Sequence, residues 1–535
     1  MASTPTTKSQ VQAYRFVLRR MESALVRKDA VMLHDPMGSH KRATVVGAVL
    51  ACIGLIGFLV WGLFAGKGTV PEPGSIVIAK ESGSVFVVTA DDKAQKRLIP
   101  MLNMASARLL VMAQGGGQGG AVTPTTVKES ALAEFPRGPR TGIVNAPTYL
   151  PAANNGAMPA WAVCDVGQVK DTLNSAEIER SAKVETVVIG GDNHHGTPLD
   201  PEQSLYVKDQ SSGKSYLVYR VENLPGKQRT QAVKSEIDRT DSVVADIYRL
   251  RGKTPRTIST NMLNAIPNAP GVPVMRVPSV PGAGTPIDYM QGKEVGDVVK
   301  RTIPNQPNEY FVLMQNGKQR ISAGAAGVLH ASRESSKEIP DMTGAVTDAP
   351  DAPKQQEINV SGYPMAVPTP LGFQQADTSC LSWENINGEH HITVTTNKGT
   401  PAVKPAVKLA QYDGSGPKVD YFFMPAGKAA VVRGTANESG AGSGPISLVS
   451  DQGVTYGIKD VATAQALGVI GTALDIKDAP SWLLRGIPPT LPSGDFLDPA
   501  QASFVYDSIP VPPGAVNRPP PQKNQQQSGA TTAGS

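Results

Sequence analysis

The stretch Ala43 to Ala65, ATVVGAVLACIGLIGFLVWGLFA, carries no charged residue, and no other segment restricts the fold so much. As a helix it spans roughly 34 Å, enough for a hydrocarbon core ~30 Å thick. Lipid offers the backbone no hydrogen-bond partners, so one isolated span has to be a helix. A signal peptide would lie nearer the N-terminus and have a shorter apolar run. Trp61, near the end of the stretch, suits an interfacial anchor. Lys8, Arg15, Arg19, Arg20, Arg27, Lys28, Lys41 and Arg42 precede the span, against Glu22, Asp29 and Asp35; Lys67 and Glu72 follow it. The positive-inside rule therefore predicts a single-pass protein of the inner (plasma) membrane. Its short N-terminal arm is cytoplasmic and its large C-terminal body is extracytoplasmic, or periplasmic.

That body is long enough for several domains at roughly 150 residues each. With 53 Gly, 45 Pro and 5% aromatics in the whole chain, short strands, turns and linkers are favoured over one large helical core. The net charge of +5 is mild and partly sits in the arm. It predicts no nucleic-acid partner; a basic juxtamembrane arm suits anionic membrane lipid. Of the 3 cysteines, Cys52 lies within the span. Cys164 and Cys380 fall outside the membrane, where disulfides persist, and read as one bridge, with two buried free thiols as the alternative. Such a bridge would close a loop of roughly 200 residues, worth about 5 kcal/mol in the chain-entropy account.

Residues 9–34 read as an amphipathic helix that Pro36 ends. Val11, Tyr14, Leu18, Met21 and Leu25 recur at helical spacing and form one apolar stripe. The arm is too short to bury that stripe by itself. Docking on a partner at the inner membrane face is the functional reading, and a helix lying on lipid is the alternative.

Four segments of the body share an alternating strand, a turn with glycine and a second strand: 75–88, 204–219, 310–322 and 446–460. Their turns hold Ser82-Gly83, Ser212-Gly213, Asn316-Gly317 and Gln452-Gly453, pairs that tolerate positive φ. Helical stretches follow at 103–112, 323–332 and 461–468, and MLNAIP at 262–267 matches LLRGIP at 483–488. This predicts repeated hairpin-plus-helix units. Core-like stretches at 157–189 and 362–432 separate repeats 1 from 2 and 3 from 4. Two halves are therefore expected, each with two repeats flanking half of a core, and joined by the disulfide. Gln114–Gly120 reads as a flexible loop. Gln231–Leu250, with Val233, Ile237, Val244 and Ile247 at helical spacing, reads as an insertion in repeat 2. The Pro- and Gln-rich tail is expected to be disordered.

The chain also resembles a known family. KSQVQAYRFVLRRMESALVRKD at 8–29 followed by a single span, LNMASARLL at 102–110, PRGPRTGIVNAP at 136–147, AWAVCD at 160–165 and CLSW at 380–383 are similar to EccB. EccB is a membrane component of the ESX, or type VII, secretion systems. The resemblance implies an α+β body on the transmembrane helix: a central core with four small repeats in an elongated, pseudo-twofold arrangement. It also implies partners of the EccC, EccD and EccE kinds, a mycosin protease, and self-association. The expected divisions are arm 1–42, span 43–65, repeat 1 at 66–113, first part of the core at 114–200 and repeat 2 at 201–270. Then come a linker with repeat 3 at 271–355, the second part of the core at 356–435, repeat 4 at 436–500 and the tail at 501–535.

Catalytic chemistry is hard to place on these residues. Gly213-Lys214-Ser215 and Gly252-Lys253-Thr254 end like a phosphate-binding loop, but Lys208 and Ile247 stand where its first glycine belongs. His194-His195 and His390-His391 are adjacent pairs, which a strand would point to opposite faces. No cofactor and no metal is expected. The function read from the sequence is a structural subunit that anchors and assembles a type VII secretion complex. The alternatives are an ATPase subunit using ATP and a module that binds peptidoglycan.

Overall fold

A computed structural model describes residues 7–28, 36–64, 70–90, 95–116, 120–152, 160–170, 172–191, 196–221, 232–333, 338–386, 389–399, 401, 406–413, 418–436, 442–471, 476–491 and 495–505. The expectations for His194-His195, for Trp61 as an anchor, for the centre of the Gln114–Gly120 loop and for most of the tail lie outside the described residues and side chains. The chain divides into two compact units, Met1–Val70 with Val127–Glu134, and Pro71–Thr126 with Phe135–Ser535.

The first unit holds the helices Lys8–Arg27 and Pro36–Phe64 and the short helix Glu129–Leu132. At the start of the first, the Thr7 amide donates to Gln10 Oε1 at 3.0 Å. This helix stops well before Pro36: Lys28 takes φ 55° and ends it. Pro36 instead begins the second helix, where its missing N–H costs nothing. Residues 42–60 of that helix are long and apolar enough to cross a membrane, and none is buried within the chain.

The second unit is built round a 7-stranded sheet. Its order runs Val407–Lys408, Tyr421–Phe423, Lys183–Gly190, Ala160–Gln168, Thr378–Ile386, Glu389–Asn397, Thr197–Pro198. Strands from two stretches of the chain, 160–198 and 378–423, thus alternate in blocks. Tyr421–Phe423, next to the edge strand Val407–Lys408, lies beside Lys183–Gly190, and the other edge strand, Thr197–Pro198, lies beside Glu389–Asn397. The first pairing is parallel and the second antiparallel. At the centre Cys164 faces Cys380 and Trp161 faces Trp383. Period-2 alternation puts both tryptophans on one face, with Val163 and Leu381, and both cysteines on the other, with Ala162 and Val166.

Smaller antiparallel meanders surround this sheet. Their strands are 76–79, 85–90 and 96–100; 203–209, 215–220 and 232–237; 298–301, 309–314 and 317–321; and 429–435, 446–450 and 455–458. Each third strand leads into a helix: Met104–Ala113, Ser242–Ile247, Ala323–Arg333 and Val461–Ala466. The side chains of Asn103, Asp241, Ser322 and Asp460 each accept a backbone amide of the first helical turn, at 2.8 to 3.2 Å. Short polar residues at that position meet orphan donors, and so start a helix where each strand ends. The chain then returns parallel to the third strand, at Arg137 beside Leu98, Val274–Met275 beside Glu236–Ile237, Asp351 beside Lys318, and Pro489 beside Thr455.

Two further expectations need correction. Gln231–Leu250 is no insertion: Val233 and Ile237 lie on the strand Ala232–Ile237, and Val244 and Ile247 on the capped helix after it. The boundary at 435/436 divides a sheet, because Ala429–Thr435 pairs with Ile446–Ser450 and not with the core strands. Meanders from different halves of the chain share apolar clusters. The meanders near 203–237 and 298–321 share one apolar cluster, with Leu217 and Tyr219 against Val312 and Ile321. Ala105 and Leu109, after the first meander, pack with Ile446 and Leu448 of the last. The two stretches matched in the sequence meet in space. Helices Thr260–Ala265 and Ser481–Gly486 lie against each other, with Met262, Leu263, Leu483 and Ile487 in one cluster.

Candidate assembly site

On the helix Lys8–Arg27 the whole predicted stripe is open. Val11 is 42% exposed, Tyr14 66%, Leu18 44%, Met21 54% and Leu25 80%. Val17 and Val26 are exposed as well and flank the stripe, while exposed Phe16 stands on the opposite face at about 3.6 residues per turn. The sequence reading missed these three; a wider apolar window would have included the two valines. Uncovered side chains of this size at consecutive turns form a surface for something outside this helix.

In the second unit, Cys164 and Cys380 are joined, with S–S 2.07 Å and Cα atoms 4.0 Å apart. The bond ties together strands far apart in the chain, and both residues are buried. The hairpin glycines divide into two kinds. Gly83 and Gly213 take φ +70° and their amides close turns onto Ala79 and Asp209. Gly453 takes φ +73°, and a Cβ there would lie 2.6 Å from a Leu409 methyl. Gly317 is not a turn residue: it pairs with Met314, so the loop is Gln315-Asn316. It is needed because a Cβ would lie 2.7 Å from the Pro350 carbonyl oxygen.

A buried charged cluster beside the disulfide sheet was not anticipated. Asp165, on the Cys164 strand, accepts from the Ser259 amide at 2.6 Å, the Ser259 hydroxyl at 2.7 Å and the Thr186 hydroxyl at 3.1 Å. Burial pushes its carboxyl up to about 6, against the pull of those donors and of Arg256. Arg256 donates to the Ala376 carbonyl at 2.7 Å and lies 4.0 Å over the Phe373 ring. Its burial lowers the guanidinium to about 10. Glu179 accepts from the Phe373 amide at 2.6 Å, and burial raises its carboxyl too. The signal in the sequence was a charged residue inside the otherwise apolar run AWAVCDVG.

The remaining motif residues do not form a phosphate-binding loop or a metal-ligand set among the described residues. Lys214 pairs with Glu236 at 2.9 Å, and its glycine closes the 208–215 hairpin. Gly252-Lys253-Thr254 precedes the strand Arg256–Ile258. Neither stretch opens a helix, whose amides a phosphate-binding loop requires. His390 is buried edge-on to Trp383, with ring centroids 5.0 Å apart, while His391 Nε2 lies 4.0 Å from Glu389. Among the described residues no three His, Cys, Asp or Glu side chains gather as metal ligands.

Comparison with known proteins follows the same outline. The family described as "Type VII secretion system ESX-1, transport TM domain B", EccB, matches residues 3–511. The ESX-3 secretion system ATPase EccB3 of Mycolicibacterium smegmatis is 26% identical over 524 residues, 95% of this chain and 92% of that protein. EccB3 of Mycobacterium tuberculosis is 28% identical over 533 residues, 96% and 92% of the two chains. Among solved structures, a chain of an intact ESX-5 inner membrane complex aligns with TM-score 0.60 at 24% identity, over 95% of this chain and 97% of that one. A chain of the EccB3 dimer from the ESX-3 core complex aligns with TM-score 0.61 at 22% identity, over 80% and 99%. These likenesses establish the mixed α/β fold.

Proposed function

The chain belongs to the EccB family of type VII secretion, and from that premise we propose that it anchors and assembles a secretion complex of the inner membrane as a structural subunit. The N-terminal arm is cytoplasmic and docks on neighbouring subunits of the EccC, EccD and EccE kinds; the body is periplasmic, associates with further copies of itself and adjoins a mycosin protease. The observation that carries the docking role is the open stripe Val11, Tyr14, Leu18, Met21 and Leu25. The charge asymmetry around 43–65 supports the orientation. A reporter active only outside the cytoplasm should work when fused after Ser75 and fail when fused before Lys41.

The body reads as four repeats in a pseudo-twofold, elongated arrangement round the core. Two features support this: the recurring order of meander, capped helix and parallel return, and the exchange of outer strands across the central sheet. The parallel and antiparallel edges depart from strict symmetry. The domain divisions set out from the sequence are proposed with one change, Ala429–Thr435 moving to repeat 4. The assembly role calls for no cofactor.

The decisive experiment replaces two stripe residues. Burying such a side chain is worth roughly 1.5–3 kcal/mol, so polar replacement at two positions removes several. Leu18→Asp with Leu25→Asp should leave membrane insertion intact, release the protein from the complex on a native gel and stop secretion. An unchanged complex with normal secretion would show that the stripe is not the docking surface. Weaker vesicle binding with intact co-purification would assign it to lipid. The word ATPase in the relatives' names keeps ATP as a second reading; hydrolysis by the purified full chain that survives Lys214→Ala and Lys253→Ala would remove these two motifs from it.

A further inference from the structure

A cavity of about 300 Å³ opens beside the buried charged cluster, between the helix Ser175–Ser181, the 252–254 loop and the segment 370–375. Two carboxamides are oriented there by bonds to their oxygens. Gln374 Oε1 accepts from the Ser175 hydroxyl at 2.7 Å, and Gln375 Oε1 accepts from the Gly372 amide at 2.9 Å. Each keeps its NH₂ group as the donor available to an incoming molecule, and Lys253 adds an ammonium. Glu179 also lines the cavity and is 8% exposed. Its Oε1 is taken by the Phe373 amide, and its Oε2 has no partner among the described residues. A buried acceptor left unmet is costly, so this oxygen calls for a donor. Leu371 and Tyr206 supply an apolar wall.

These demands select a ligand class. A small anion would answer the three donors but set its charge against Glu179. A simple amine would answer Glu179 but meet Lys253. Neighbouring hydroxyls donate and accept at once, and the C–H face of a pyranose ring covers an apolar wall. The volume sits at the lower end of small-ligand sites, which begin near roughly 300 Å³. We propose that this cavity binds a neutral saccharide of one or two pyranose rings. The site uses no residue of the N-terminal helices, so it stands independently of the docking role.

The test is saturation-transfer NMR on the full chain in micelles of a detergent without a sugar headgroup. N,N′-Diacetylchitobiose is the probe, because its acetamido groups carry both a donor and an acceptor; inorganic phosphate and methylamine are the controls. Transfer to the pyranose ring protons is expected from the wild-type chain. It should be at least tenfold weaker with Lys253→Ala and Gln374→Leu together, both exposed positions whose replacement leaves the unfolding midpoint in place. Glu179→Gln keeps the acceptor for Phe373 and should weaken transfer as well. No transfer from the wild-type chain, equal transfer from the variants, or displacement of the probe by phosphate alone would overturn the proposal.

Discussion

The arm helix and the central sheet break the ordinary rule of burial in opposite senses. Lys8–Arg27 exposes leucine, tyrosine and methionine, whereas the body buries Asp165 on the disulfide sheet and Arg256 on the strand Arg256–Ile258 of another sheet. A buried charge is tolerable only when its surroundings supply bonds, and these come from within the chain: Ser259, Thr186 and the Ala376 carbonyl. An exposed apolar stripe has no such internal answer and has to be met from outside. The sheet is therefore a completed structure, and the arm helix is one half of an interface.

Substitutions can break this contrast. The largest effect belongs to the tryptophan pair. Trp383→Ala should destabilise the body by roughly 3–5 kcal/mol, read as a shift of the urea midpoint, with the arm helix untouched. A smaller loss would mean that the sheet is less tightly completed than its register implies. Next comes the cross-link: Cys164→Ser with Cys380→Ser should cost roughly 2–5 kcal/mol. Non-reducing peptide mapping of the wild type should recover the 164–380 pair, and two free thiols would refute the bond.

Asp165 gives the sheet a pH dependence of definite sign. Burial raises its carboxyl to about 6 in the fold from the ordinary 3.8, so the folded chain holds the proton more tightly than the unfolded one. The stabilisation is fully present below the unfolded value and is lost as pH rises through the folded value. By linkage it amounts to at most about 3 kcal/mol. Urea midpoints between pH 4 and 7 should fall in the wild type and flatten with Asp165→Asn; the same slope in both would assign the effect elsewhere. The smallest effect sharpens the contrast from the other side. Leu18→Asp with Leu25→Asp should move the body's urea midpoint by no more than about 0.5 kcal/mol in stability, as substitutions away from the core do.

Local features were legible in the chain. The apolar span, the hairpins at Gly83 and Gly213, and the helices started by Asn103 and Asp460 follow from residues within a few positions of each other. Gly317 looked like a turn glycine because Asn-Gly is a hairpin signal, yet its need arises from Pro350 and Asp351, which approach from far along the chain. In the strand Ala232–Ile237, Val233 and Ile237 fit a helical spacing as well as a strand's face, so the sequence alone does not separate the two. Pairing with Tyr216–Arg220 decided the matter.

By itself, the sequence determined where the chain is apolar enough to enter lipid, where turns and caps punctuate it, and that its arm carries a stripe with nothing nearby to cover it. These depend on side-chain chemistry and short spacing. The tertiary structure alone decided which distant strands become neighbours in the central sheet, which meanders share a core, and that Asp165, Glu179 and Arg256 are enclosed together. The reason is physical: a strand satisfies its backbone with any partner of suitable register, so its own residues do not specify the neighbour. The choice falls to the packing of whole faces, such as Trp161 and Trp383 on one side and Cys164 and Cys380 on the other.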